Sequence, residues 1–478
     1  MLVTQAYRFE LDANNKTSRM LAGHAGAARF AFNWGLATVI ARLEARRAFT
    51  VLALRQGASA ADAEVWAASL VGPVPWSLPA LRREWNRVKD QLAPWWADYS
   101  KEAYSSGLDN LARALKGFFD SRSGVRDGSR MGWPRFKKRG RVRRSFRVTT
   151  GSFGVLNARH ARLPRIGIIR TKEATSELAA RVESGNARIL SATVSEQVGR
   201  WFVSFTCEVD RSVVPVPPGA AVGVDVGVKH LAVLSTGEKV ANPEHLGRYQ
   251  RRQARLQAEL ARRRGPGNGQ SASRRWEQTD ARMARTYRKA ADARADSLHK
   301  LTTRLAKTHA VVVVEDLAVK NMTAAGSGRG RRGKAGLNQA ILDVAPGTLR
   351  RQLAYKTSWY GSYLIVANRW YPSSKTCSRC KTVKTKLSLR ERIFRCDVCG
   401  LVIDRDLNAA RNLASLVKAA LISSGTASGA GTGQTSGLVN AQGDDKFMAS
   451  ARWSPTNCED STGQPGQTAT AIEQSTAA

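Results

Sequence analysis

The chain holds 478 residues, with 76 Lys and Arg against 38 Asp and Glu, for a formal charge of +38. A hydrophobic share of 42% with 12 tryptophans excludes a wholly disordered chain, and a scale of ~150 residues per domain gives a prior of about three domains. No apolar run nears the ~18 residues of a membrane span and the N-terminus lacks an apolar secretory stretch, so the expected setting is the cytoplasm, with a polyanion and not a membrane as partner.

Residues 4–12 alternate like a short strand. Residues 14–47 then read as helix, with Thr17 and Ser18 as cap candidates and an apolar face that includes Leu21, Ala28, Phe30, Ala31 and Trp34. Residues 60–120 read as helical again. Their Trp66, Trp76, Trp85, Trp95 and Trp96 are expected in the core and not on a base-stacking platform.

The texture changes near Met131. Residues 131–147 carry eight basic residues and no acid, with Trp133, Phe136 and Phe146 among them. Arg135, Lys137, Lys138, Arg139, Arg143 and Arg144 are the candidates there for nucleic-acid contact. Short alternating runs follow at 145–156, 165–171 and 187–209, separated by turn residues, which predicts an antiparallel sheet or small barrel. Cys207 in the last run reads as a small buried hydrophobe.

The Pro-rich stretch 214–220 reads as a linker. Beyond it the pattern is α/β: a strand pair at 221–236, a long helical stretch at 246–309 interrupted at 264–273, a strand at 310–314, a helix, and a strand at 362–368. From Arg248 to Lys307 there are 17 basic and 5 acidic residues. Helices so short of counter-charge point to a bound polyanion, with Arg251, Arg252 and Arg255 as candidate contacts.

Cys377 and Cys380 form one CxxC pair and Cys396 and Cys399 a second, 15 residues further on. Two such turns facing each other supply four thiolates in a tetrahedron, which predicts one structural Zn2+. Six basic residues between the pairs (Lys381, Lys384, Lys386, Arg390, Arg392, Arg395) extend the expected nucleic-acid surface to this ribbon.

Three acids stand out in an acid-poor body: Asp225 in GVDVGVKHLAVLS, Glu315 after four valines, and Asp406 in DRDLNAARNL. Singly they read as a turn residue, a strand-end surface acid and a helix N-cap. Together, at the ends of apolar strands and the start of a helix, they form a candidate hard-oxygen site for Mg2+. Two such ions would serve phosphodiester hydrolysis. Residues 422–478 are rich in Gly, Ser, Thr, Ala and Gln with a net charge of −3, which leaves +41 on residues 1–421. That segment, with Cys458, is expected to be a disordered tail.

In chain order, GVDVGVKHLAVLS, VVVVEDLAVKNM, SSKTCSRC with FRCDVCG, and DRDLNAARNL resemble the TnpB/OrfB family of transposon-encoded, RNA-guided DNA nucleases related to compact type V CRISPR effectors. ARFAFNW at 28–34 and GWPRFKKRGRVRRSFR at 132–147 extend the resemblance, which spans roughly residues 5–415.

The resemblance implies a multidomain α+β protein. It would have a first wedge strand (1–15), a helical recognition lobe (16–120) and a β-rich wedge barrel (121–215). An RNase H-like RuvC nuclease (216–372 and 401–421) would carry the Arg-rich helical insert 246–309 and the zinc ribbon 373–400. It also implies Asp225, Glu315 and Asp406 as catalytic acids holding two Mg2+, with Asp404 as second choice for the third. The implied partners are a guide RNA from its own locus and target DNA next to a short adjacent motif, bound by a monomer. The alternatives are a type V CRISPR effector with the same chemistry and a guide-dependent DNA-binding repressor that does not cut. Lys381 departs from the family, where Gly often follows the second Cys.

Overall fold

The structure is a computed structural model that describes residues 2–425, apart from 127, 213, 268, 327–329 and 389; for 418–425 it describes the backbone alone. Two units divide the chain, 1–213 with 259–288, and 214–258 with 289–478.

The first unit begins with β1 (Leu2–Leu11), α1 (Asn15–Arg55), α2 (Ala60–Val71), α3 (Leu78–Leu92) and α4 (Lys101–Arg122). Short strands β2 (Ser145–Val148), β3 (Gly154–Asn157), β4 (His160–Leu163) and β5 (Gly167–Arg170) follow, then α5 (Ser176–Glu183), β6 (Ala187–Gln197) and β7 (Arg200–Asp210). The N-cap of α1 is Asn14, whose side chain accepts from the Thr17 N–H at 2.9 Å. Thr17 and Ser18, the expected caps, lie inside the first turn, because the extended backbone a cap requires occurs at Asn14.

Helices α1 and α4 cross where a Cβ on Gly107 would stand 2.1 Å from the Ala28 carbonyl oxygen, so only glycine admits the contact. Trp85 is core, 5% exposed and stacked on Tyr104 with ring centres 5.0 Å apart. Trp66, Trp76 and Trp95 keep an exposed rim and pack edge-on against Phe49, Phe119 and Phe30.

The wedge barrel is corrected to open sheets. Strand order is β1-β7-β6-β2 in one sheet and β3-β4-β5 in another, linked by the Leu11–Thr171 bridge. β2 is four residues long and pairs on its β6 side only, so among the described residues no ladder runs from β2 to β3 and the circle stays open.

The second unit is an α/β layer structure. Its strands are β8 (Val222–Asp225), β9 (His230–Leu234), β10 (Lys239–Ala241), β11 (Val311–Glu315) and β12 (Tyr363–Ala367), in the order β10-β9-β8-β11-β12. β8, β11 and β12 run parallel, and β9 runs antiparallel to both its neighbours, β8 and β10. The helices are α6 (Gln250–Ala261), α7 (Arg274–Thr308), α8 (Val319–Met322), α9 (Arg331–Val344) and α10 (Pro346–Trp359). A hairpin, β13 (Ile393–Arg395) and β14 (Val402–Asp404), runs directly into α11 (Arg405–Gly425). The division between the units falls within α6 and α7. Helix α11 carries four residues of the expected tail; the rest, with Cys458, lies outside the described residues.

Alternation along the strands explains the layers. Val222, Val224, Val312 and Val314 face one side and pack with Leu298, Leu301 and Leu305 of α7 and Leu349 and Leu353 of α10. Val313 faces the other side and packs with Ile365, Ala367 and Leu413 of α11. On that side Gly223 lets α11 touch the sheet, since a Cβ there would stand 2.0 Å from the Ala410 carbonyl oxygen and 2.6 Å from the Ala414 nitrogen.

Gly223→Ala should therefore destabilise the protein by about 3 kcal/mol, the upper part of the usual overpacking range, read as a lowered denaturation midpoint. An unchanged midpoint would show that α11 is not seated by this contact.

Candidate active site and zinc ribbon

The register of two parallel strands fixes the first two acids. Val224 lies opposite Val314, so Asp225 and Glu315 each follow by one residue at the C-terminal ends of neighbouring strands. By alternation both share the face of Gly223 and Val313, against which α11 lies. The third acid, Asp406, sits in the first turn of α11. The three are thus delivered to one end of one face of the sheet.

The electrostatics of Asp225 register this grouping. Burial first, then the charges of Glu315 and Asp406, push its carboxyl up to about 8. Three oxygen-bearing acids under mutual repulsion form a donor set suited to a hard divalent cation. They are gathered less tightly than the cysteines, which alone among the described residues place all their ligand atoms within 4.8 Å of one another.

Two neighbouring acids are occupied elsewhere. Asp316 is paired with both Arg350 and Arg369. Asp404 Oδ1 accepts from the N–H groups of Asp406 (3.0 Å) and Leu407 (3.1 Å), and its Oδ2 accepts from Lys239 at 2.7 Å. Burial works against ionisation of Asp404, yet the Lys239 bond and the two N–H donors hold its carboxyl below the usual range. Asp404 is thus the residue that caps α11, the role open to Asp406 from the sequence alone. No Lys or Arg pairs with Asp225, Glu315 or Asp406 among the described residues.

The cysteines form two matching knuckles. Lys381 N–H donates to the Cys377 carbonyl (3.0 Å) and Gly400 N–H to that of Cys396 (3.1 Å). Lys381 and Gly400 carry nearly equal left-handed φ values, 66° and 68°. This explains why glycine suits position 381. Lys381 accepts the strained backbone while its ammonium bonds Asn412 Oδ1 (3.2 Å) and Ser415 Oγ (3.0 Å) on α11. Across the knuckles, the Cys377–Cys399 sulfurs are 3.6 Å apart and the Cys380–Cys396 sulfurs 3.5 Å. A tetrahedral metal with bonds of about 2.3 Å spaces its sulfurs about 3.8 Å apart, so the set fits Zn2+.

The basic candidates divide by environment. Arg135, Lys138 and Arg139 are exposed in the segment between α4 and β2, and Arg251, Arg252 and Arg255 are exposed on α6. Lys137 instead lies 3.7 Å over the Phe32 ring, and its backbone N–H and carbonyl both bond the Asn33 amide. Arg144 pairs with Glu196 at 3.1 Å, and Arg143 donates to Ser195 Oγ. In the ribbon, Lys384 pairs with Asp397 at 3.1 Å. Among the described residues no helix is long and apolar enough to cross a membrane.

Sequence reasoning missed Asn408, Asn412 and Ser373. Both asparagines are fully buried on α11, and Ser373 donates its hydroxyl to Glu315 Oε1. Two Asn four residues apart in a motif already read for its acid were the available signal.

Three family models match the chain: OrfB_IS605, described as "Probable transposase", over residues 204–325; the Cas12f1-like TNB domain over 347–413; and the OrfB_IS605 helix-turn-helix domain over 1–48. A Mycobacterium tuberculosis protein provisionally named an RNA-guided DNA endonuclease is 38% identical over 428 residues, 86% of each chain. InsQ of Escherichia coli K12, named in the same provisional way, is 31% identical over 86% of this chain and 91% of its own. Among solved structures, a cryo-EM Cas12f1–sgRNA–target DNA complex covers 86% of this chain and 99% of its own at 12% identity and a TM-score of 0.43.

Two outcomes follow from the site. Cys377→Ser should lower the zinc content of the purified protein, measured by atomic emission; unchanged stoichiometry would refute the ligand set. Because the Asp225 carboxyl is raised in the fold, its contribution to the metal-free protein is complete below pH ~4 and lost as pH climbs toward about 8. Asp225→Asn should therefore raise the melting temperature of the metal-free protein at pH 8 but not at pH 4. Equal effects at both would show that no such repulsion exists.

Proposed function

Because this chain belongs to the TnpB/OrfB family, we propose that it is an RNA-guided DNA endonuclease whose hydrolytic site is built from Asp225, Glu315 and Asp406. The single observation that carries the site is the register of β8 and β11, which ends two neighbouring parallel strands in acids on the face covered by the helix of the third. The sheet order, three strands reversing direction followed by two parallel ones, supports reading this unit as an RNase H-like nuclease. The names of the relatives support the guide.

Divalent cations, two of them as Mg2+ in this reading, would be held by the three carboxylates and supply an activated water and stabilisation of the leaving oxygen. The protein's own residues do the rest. Glu315 is oriented by the Ser373 hydroxyl. Asp404 and Asp316, tied up in ion pairs, are kept from competing for the cation. Burial and the charges of Glu315 and Asp406 favour the protonated form of Asp225, and a cation held among the three acids would favour its ionised form. Sequence choice falls to pairing between guide and target, while Arg and Lys contact backbone phosphates and the adjacent motif. The same chemistry would serve a CRISPR effector, and the DNA flanking the coding region, transposon ends or a repeat array, separates the two. The intact set of acids speaks against a repressor that does not cut.

Purified with the transcript of its own locus, the protein should cut DNA matching that transcript in Mg2+. Asp225→Ala should reduce cutting at least a thousandfold and leave RNA retention unchanged. Normal cutting by the variant would refute the site, and sequence-specific cutting that survives RNase pretreatment would refute the guide.

A further inference from the structure

We infer that the first zinc knuckle is a positioning element of the acid site, acting through Ser373, Asn408 and Asn412. The inference rests on the acid-site reading above. A ribbon that serves only as a nucleic-acid contact would leave the carboxylates indifferent to it; the hydrogen bonds tie the two together.

Asn408 and Asn412 stand one turn apart on α11, each 0% exposed. A buried amide is costly unless its groups are satisfied, and these are satisfied almost wholly by the knuckle. Asn408 Nδ2 donates to the Thr376 carbonyl at 2.7 Å, and its Oδ1 accepts from the Ser378 N–H at 2.9 Å. Asn412 Nδ2 donates to the carbonyls of Ser373 (2.9 Å) and Thr376 (2.6 Å), and its Oδ1 accepts from Lys381 Nζ. The residues gripped surround Cys377 on both sides. This stretch has little sheet pairing of its own beyond the Thr376–Val383 bridge, so the two side-chain amides stand in for a neighbouring strand.

The knuckle reaches the acids by two routes. Ser373, with its carbonyl fixed by Asn412, donates its hydroxyl to Glu315 Oε1, which orients that carboxylate and leaves Oε2 open to a cation. Asp406 lies two residues before Asn408, so the helix turn that presents it is the turn anchored to the knuckle. The four cysteines would hold the zinc that closes the knuckle; the knuckle backbone bonds α11 and Ser373, and these position Asp406 and Glu315. Hydrogen-bonding partners behind a metal ligand commonly govern affinity by tenfold or more.

The test is Mn2+ titration of the full-length, RNA-free protein, followed by electron paramagnetic resonance of free Mn2+, with zinc content measured on the same samples. Ser373→Ala should weaken Mn2+ binding about tenfold with zinc content unchanged, and Ser373→Thr, which keeps the hydroxyl, should restore it to near the parent value. Asn412→Ala should also weaken Mn2+ binding and speed amide hydrogen exchange at residues 405–411, with zinc retained by its four cysteines. Asp225→Ala is the control: if it leaves Mn2+ binding intact, the acid-site reading itself fails. If the control weakens binding while Ser373→Ala leaves it unchanged, the positioning role is overturned, whether or not Asn412→Ala folds.

Discussion

Gly223 is where the second unit is decided. Its missing side chain lets the backbone of α11 lie against β8, with the Ala410 carbonyl 2.0 Å from where a Cβ would stand. The depth of that contact sets how far the first turn of α11 stands from the ends of β8 and β11, and so how near Asp406 lies to Asp225 and Glu315. A larger residue at 223 would lift the helix and carry its acid away. Helix seating and the grouping of the acids are therefore one constraint, because the strand that provides the seat ends two residues later in an acid.

Local and global electrostatics oppose each other here. A body carrying +41 should favour every carboxylate in its ionised form. Yet Asp225 is pushed toward its neutral form, because burial and the charges of Glu315 and Asp406 outweigh the opposing charge of Arg405. More distant surface arginines count for less, because charges separated through solvent by more than the Debye length of about 8–10 Å are largely screened. The acids next door show the contrast. Asp316 and Asp404, one or two residues away in sequence, each have basic partners at contact distance, and both carboxyls lie below their ordinary range. Pairing at contact range, more than net charge, separates the acids of the site from their neighbours.

Much of this was legible in the sequence, for identifiable reasons. The four valines before Glu315 and the alternation around Asp225 betray strands because one strand face must be buried, and the CxxC pairs betray their knuckles because thiolate spacing is geometric. Other features depend on contacts between distant segments. Asn14 outranks Thr17 as the α1 cap because of where the extended backbone ends. Among the described residues the barrel stays open because β2 is too short and pairs on one side only, a fact of register that turn residues do not reveal. Asn408 and Asn412 look like ordinary helix-surface polar residues until the knuckle is placed over them.

Charge counting has a similar blind spot. It treats Lys137, Arg144 and Arg251 alike, whereas the structure gives the first a ring to cover, the second a carboxylate and the third only solvent. Moving Lys137 or Arg144 onto a phosphate would mean surrendering an existing partner, so their net contribution to binding is reduced by what they leave. Arg135, Lys138, Arg139, Arg251, Arg252 and Arg255 are exposed and make no ion pair among the described residues, so they have no partner to surrender. Each phosphate such a residue neutralises releases counterion, and that gain does not depend on base sequence. A surface of this kind supplies affinity without choice. Discrimination between targets must then come from a different source, which is the physical reason a basic body of this composition and a pairing guide belong together.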